Sequence, residues 1–225
     1  MIILISLYII FFLLCVITLF ILYVLSKNDF VLLRKNISLA KIFDVIIISF
    51  LFSFIPSRLF YVLDTFSFGL LKSLGFFHIF KFSGLSFLGF IIGIFFVVYL
   101  FFHQKKATLR IFDICALTFF PFFIFSLFII KFPGYFLFVQ IGLAVLLLII
   151  FGFLIRFHKN FTLSDGGVFF IFSFLVAFVN TGINFFTLRK PLFSVITFSQ
   201  IVSVSIIVGA LVAFLLTQKK FFSKK

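Results

Sequence analysis

The chain has no glutamate and no tryptophan, and it is poor in cysteine, histidine and acidic residues. Each shortage removes a class of function. Two cysteines, Cys15 and Cys115, fall in different apolar stretches, which excludes a disulfide framework. The three histidines, His78, His103 and His158, all lie in or beside the gaps between apolar stretches. No HExxH pattern or other metal-ligand cluster occurs, so no metal site is expected. There is no glycine-rich phosphate loop, and no cofactor is expected. No chain of carboxylates inside an apolar run suggests a proton relay. Charged residues make up only 11% of the chain. A soluble globular domain carries about a quarter, so that class is excluded as well. The 47 phenylalanines reflect a bias toward AT-rich codons more than a function, since Leu and Phe are close to interchangeable against lipid tails.

What the chain has in abundance is long hydrophobic runs; 65% of its residues are hydrophobic. A hydrocarbon core about 30 Å thick needs about 20 apolar residues in a helix. Runs of that length are read at 2–25, 42–63, 85–103, 112–130, 136–155, 167–187 and 193–217. Backbone groups in lipid must pair internally, which leaves helices or a closed barrel. Barrel strands alternate apolar and polar residues, and these runs do not. The expectation is an all-α membrane protein, a bundle of seven transmembrane helices forming one polytopic domain over 1–225. The first run lacks a basic leader and a small-residue cleavage site, so it is read as a retained helix. Lys131-Phe132-Pro133-Gly134, Ser164-Asp165-Gly166-Gly167 and Arg189-Lys190-Pro191 read as turns between runs. The longer apolar gap from Asp64 to Gly84 reads as an amphipathic segment lying in the outer interface.

Positive charge is divided unequally between the gaps. Lys27, Arg34, Lys35 and Lys41 fall in the first gap, and Lys105, Lys106 and Arg110 in the third. Arg156 and Lys159 fall in the fifth, and Lys219, Lys220, Lys224 and Lys225 in the tail. Thirteen of the 19 Lys and Arg thus lie on one side and five on the other, with Arg58 inside a run. Cytoplasmic loops hold the excess of Lys and Arg. The N-terminus is therefore expected outside and the C-terminus in the cytoplasm. The net charge of +14 fits attraction to an anionic inner leaflet and calls for no nucleic acid.

Polar residues inside the runs are few, and they mark the places where function is expected. Arg58 and Tyr61 are three residues apart on one helix face. One reading is an anion site for a lipid phosphate, gripped by the guanidinium. The other is an Arg snorkelling to the outer headgroups beside an interfacial Tyr. Asn180 and Asn184 share a face of the sixth run, for a substrate headgroup or for a bond to a neighbouring helix. Gly89 and Gly93 form a close-packing pair, and Gly209, Ala210 and Ala213 form a small-residue stripe. Ser199, Gln200 and Ser203 could cluster on the seventh run, and Gln140 stands alone in the fifth. Asp113 opens the fourth run, where it suits the N-terminal end of a helix dipole.

In order along the chain, several of these fragments resemble the prolipoprotein diacylglyceryl transferase family. Leu39-Ala40-Lys41-Ile42-Phe43-Asp44 followed by Ser57-Arg58-Leu59-Phe60-Tyr61-Val62-Leu63 is similar to the family's second helix, which ends G-A-R-x-x-Y-V. Ser83-Gly84-Leu85-Ser86-Phe87-Leu88-Gly89-Phe90-Ile91-Ile92-Gly93 resembles its G-G-x-S-F-H-G-G-x-x-G stretch. Arg110-Ile111-Phe112-Asp113 resembles the start of helix four, Asn184-Phe185-Phe186 the E-F-F end of helix six, and Ser199-Gln200-Ile201-Val202-Ser203 with Gly209 the G-Q-x-x-S run of the last helix. The resemblance spans roughly residues 20–217 and agrees with seven helices, an outer N-terminus and an inner C-terminus.

The resemblance implies a multi-pass protein of the bacterial plasma membrane that takes part in lipoprotein maturation. It implies transfer of diacylglyceryl from phosphatidylglycerol to the thiol of a lipobox cysteine. The implied partners are a membrane phospholipid, phosphatidylglycerol or another anionic lipid, and prolipoprotein signal peptides. The candidate headgroup-binding residues are Arg58, Tyr61, Asn180 and Asn184. Departures fall on reactive positions. The histidine of the family's G-S-F-H is Leu88, and its G-R-x-G-N-F-x-N-G-E signature has no counterpart between Phe122 and Tyr135. Asn180 and Asn184 replace the Arg and Glu of its sixth helix. Three readings therefore stand side by side: a divergent transferase, a non-catalytic member that binds lipid or a partner membrane protein, and a transporter of lipid or small solute. A transporter would be expected to show broken helices or coupling carboxylates at mid-membrane, and the sequence shows neither.

Overall fold

The computed structural model describes residues 2–27, 29–65, 86–104, 107–129, 137–187 and 197–222. Among them there is no strand. The helices are α1 (Ile2–Lys27), α2 (Phe30–Arg34), α3 (Leu39–Phe52), α4 (Phe54–Thr65), α5 (Phe87–Phe102), α6 (Thr108–Ile129), α7 (Leu137–Lys159), α8 (Gly167–Thr187) and α9 (Phe198–Phe222). The segment expected in the outer interface and the turns around Pro133 and Pro191 lie outside the described residues, apart from Asp64 and Thr65 in α4.

Local chemistry sets the ends of these helices. The Asp29 carboxylate accepts hydrogen bonds from the amides of Val31 and Leu32 at 2.9 and 3.2 Å and starts α2. Asn36, at φ +50°, stops it. The Ile37 amide then reaches the Leu32 carbonyl and the Asn36 amide the Leu33 carbonyl, both at 3.1 Å, closing a Schellman motif. Ser38 caps α3 through the Lys41 amide at 3.3 Å, and Ser86 caps α5 through Gly89 at 3.5 Å.

The second apolar run is not one uninterrupted helix. It breaks at Ser53, between α3 and α4, with Pro56 in the first turn of α4. Proline has no amide hydrogen to bond the carbonyl four residues back, so the helix is interrupted ahead of it. Pro121 sits inside α6 without ending it.

α6 is the centre of the bundle: every residue from Arg110 to Phe120 is buried. It packs against α1, α5, α7 and α8, while α5 lies along α3 and α4 and α9 lies along α8. The core is largely phenylalanine. Phe120 stacks on Phe151 at 5.1 Å, and Phe95 meets Phe169 at 4.6 Å. The outward faces are apolar as well, including Phe12, Phe20, Leu51, Phe96, Phe138 and Leu215. Such a surface suits lipid rather than water.

Four stretches of the described residues are long and apolar enough to cross a membrane: Leu39–Asp64, Thr108–Phe128, Phe138–Lys159 and Phe198–Lys219. Shorter apolar helices cover Phe12–Lys27, Phe87–Phe102 and Gly167–Ile183. The protein is thus an all-helical, multi-pass membrane protein.

Candidate functional site

Arg58 and Tyr61 meet on α4. The guanidinium carbon lies 5.4 Å from the centre of the Tyr61 ring, and Arg58 is buried. A cation over an aromatic face gains most where water is excluded. The turn that carries Arg58 is clamped to α5. The Ser57 hydroxyl donates to the Ser86 carbonyl at 2.8 Å, and the Ser86 amide donates to the Ser57 carbonyl at 3.1 Å.

Two glycines permit that approach. A Cβ on Gly89 would fall 2.6 Å from the Pro56 carbonyl oxygen and 2.9 Å from Ser57 Cα. On Gly93 it would fall 2.5 Å from Pro56 Cγ and 2.8 Å from Ser53 Cα. Backbone contact at this distance is what a small-xxx-small pair allows.

The start of α9 is fastened to the same region. The Asp64 carboxylate, six residues beyond Arg58, accepts a hydrogen bond from the Ser199 amide at 2.7 Å. Gln200 turns back to accept from the Thr197 amide at 3.0 Å, a capping box. Phe60 packs edge-on against Phe198 at 5.2 Å. One turn further along α9, the Ser203 hydroxyl accepts from the Asn180 amide nitrogen at 2.9 Å. A path thus runs from Asp64 on α4, through Ser199 and Ser203 on α9, to Asn180 on α8. Asn184 lies one turn beyond Asn180 on α8, with its side chain outside the described residues. Gln140 donates to the Leu127 carbonyl and joins α7 to α6.

Beside this path an apolar cavity of about 460 Å³ opens between α5, α8 and α9. Leu88, Ile91 and Phe95 line one wall, and Val176, Ile206 and Ala210 line the others. Leu88 is fully buried on that wall, so the cavity meets hydrocarbon there.

The other end of the bundle is more highly charged. Arg110 Nε donates to Asp29 at 2.8 Å, and Nη2 donates to the His158 carbonyl at 3.3 Å. The guanidinium stacks on Phe161, 4.4 Å away, and Phe161 sits at φ +51°. That backbone conformation is unusual for a bulky residue. Asp165 reaches Arg110 Nη1 only at 3.8 Å. Partial burial raises the Asp165 carboxyl pKa, against the opposing pull of Arg110.

Asp113 does something other than the sequence suggests. α6 starts at Thr108, so Asp113 is past the first turn of its own helix. Its oxygens accept hydrogen bonds at 2.8 Å from the amides of Gly166 and Phe169, and so cap α8. Gly166 takes φ +91° at this junction, open to glycine without strain. Asp29, Asp64 and Arg110 carry structural work that sequence reasoning did not assign. The available signal was scarcity: with five acidic residues in the whole chain, each buried carboxylate has to answer a specific donor.

Chemically, the Arg58 end offers a guanidinium, a phenol, hydroxyls and an amide. Among the described residues the histidines are His103 and His158, both at the opposite end, and no group of three His, Cys, Asp or Glu could hold a metal. The family model described as prolipoprotein diacylglyceryl transferase matches residues 2–130, which takes in α1 to α6. No curated protein and no solved structure matches the chain. The family-like fragments in α8 and α9 lie beyond the matched range.

Proposed function

Because this chain belongs to the prolipoprotein diacylglyceryl transferase family, we propose that it binds an anionic phospholipid at the Arg58 end of the bundle and transfers diacylglyceryl slowly or not at all. In this reading seven helices cross a bacterial plasma membrane, with the N-terminus outside and the C-terminus in the cytoplasm. The Arg58 end then faces the outer leaflet. Arg58, held over Tyr61, takes the lipid phosphate, and the Leu88 cavity takes hydrocarbon. Asn180 and Asn184, one turn apart on α8, are the further headgroup candidates in this reading.

The family reaction joins a cysteine sulfur to the diacylglyceryl carbon and releases the phosphate-bearing headgroup. It needs a cation on the departing phosphate and a base for a thiol with pKa about 8.5. Arg58 meets the first need. Phenol, hydroxyl and amide groups do not titrate near neutrality and cannot meet the second. The observation that carries the reading is this contrast: a buried Arg58 stacked on Tyr61, and Leu88 on an apolar wall.

The test pairs complementation with binding. Wild type and Arg58→Ala are expressed in a strain depleted of its own transferase, and the binding of phosphatidylglycerol to each is measured. No rescue is expected from wild type, and Arg58→Ala should lose about tenfold in affinity, one charge-assisted contact. Full rescue of lipoprotein maturation would overturn the inactive reading. Equal binding by both proteins would remove Arg58 from the site.

A further inference from the structure

We propose a second lipid-phosphate site, at the opposite end of the bundle, in the charged cavity enclosed by the end of α1, α2, the start of α6 and the end of α7. The cavity holds about 350 Å³. Its polar wall is made by Arg110, His158 and Lys159, and its apolar wall by Val24, Leu25 and Phe30.

His158 supplies the pointer to a ligand. It is 3% exposed, and neither ring nitrogen has a hydrogen-bond partner. Nε2 stands 3.7 Å from the nearest Asp29 oxygen, too far for a hydrogen bond. Buried polar groups are normally matched, and one unmatched on the wall of a cavity calls for an occupant with a complementary atom.

The charges select an anion. Asp29 is the one carboxylate on the wall, and its oxygens are already taken by two α2 amides and by Arg110. Its charge is answered within the protein, leaving it little to repel an incoming anion. Lys159 stands exposed at the rim, and Arg110, whose Nη1 faces the part-exposed Asp165 at 3.8 Å, keeps N–H groups beyond those bound to Asp29 and His158. A phosphate oxygen can accept from Lys159, from Arg110 and from a ring N–H of the neutral His158.

The apolar wall selects a lipid over a free anion. Val24 and Leu25 are the last turns of α1, and the outward face of that helix continues with Phe20, Val16 and Phe12. A headgroup in the cavity would let its acyl chains run along this face. The site is independent of the Arg58 reading, since it lies at the other end of the bundle and uses none of the same residues.

The test uses the full chain in detergent, in an Arg58→Ala background so that the first pocket does not contribute. Native mass spectrometry counts bound phosphatidylglycerol, with phosphatidylcholine and inorganic phosphate as separate probes. Phosphatidylglycerol should be retained in preference to phosphatidylcholine. His158→Phe, which keeps the ring volume without nitrogens, and Lys159→Ala should each weaken retention by about tenfold. His158→Gln, which keeps a donor, should restore most of it, and thermal melts should show all variants folded. Retention unchanged in both His158→Phe and Lys159→Ala would overturn the proposal. So would equal retention of the two lipids. Displacement by millimolar inorganic phosphate would assign the pocket to a soluble anion and overturn its assignment to lipid.

Discussion

The Asp113 carboxylate accepts hydrogen bonds from the amides of Gly166 and Phe169, both at 2.8 Å. Both come from the start of α8, where a helix leaves its first amides without internal acceptors. Asp113→Ala would strand those amides in the core and is expected to cost about 2–4 kcal/mol. Asp113→Asn keeps one acceptor oxygen and should lose less. Thermal midpoints in detergent measure both, and an unchanged Asp113→Ala midpoint would mean that other groups satisfy α8. The sequence alone associates Asp113 with its own helix, because local reading sees only neighbours. Its real partners lie 53 and 56 residues later. Arg58 and Tyr61 were legible for the opposite reason: three residues apart on one helix, they must share a face. Asp64 was not, because its partner Ser199 is 135 residues away.

Helices were more legible than side-chain partners. Bilayer thickness sets the length of an apolar run, and each of the seven runs overlaps a described helix or, at 42–63, a pair of helices. The break at Ser53 is not legible in hydropathy, which does not register the missing amide hydrogen of Pro56. That break matters, since it places Ser53, Pro56 and Ser57 against α5. Gly89 and Gly93 receive them, and the atoms a Cβ would strike are backbone atoms, Cβ atoms and the Pro56 ring, none of which can rotate away. Gly89→Leu with Gly93→Leu should therefore force α4 and α5 apart. Overpacking of this kind costs about 1–3 kcal/mol per site. Membrane insertion should persist, because added leucine favours it. The measurement is thermal stability in detergent beside a membrane-fractionation assay. A double variant as stable as wild type would show that α4 and α5 can separate freely.

Across the whole molecule, the two ends differ in charge and in chemistry. Asp29, Arg110, His158 and Lys159 gather at one end, with Lys27 and Arg34 close by in sequence. Arg58, Tyr61 and the start of α9 gather at the other. Cytoplasmic loops hold the excess of Lys and Arg, so the Lys-rich end should stay in the cytoplasm. That orientation sends Arg58 to the outer leaflet and the His158 cavity to the inner one. The expected outcome is that reporter fusions at Lys159 and Lys225 report the cytoplasm and a fusion at Lys72 the outside. Neutralising Lys105, Lys106 and Lys159 together should raise the fraction of inverted molecules, since it removes charge from the side that carries the excess. If Lys225 reports the outside in the wild-type chain, the two proposed lipid sites exchange leaflets, and Arg58 can no longer serve the proposed binding at the outer surface.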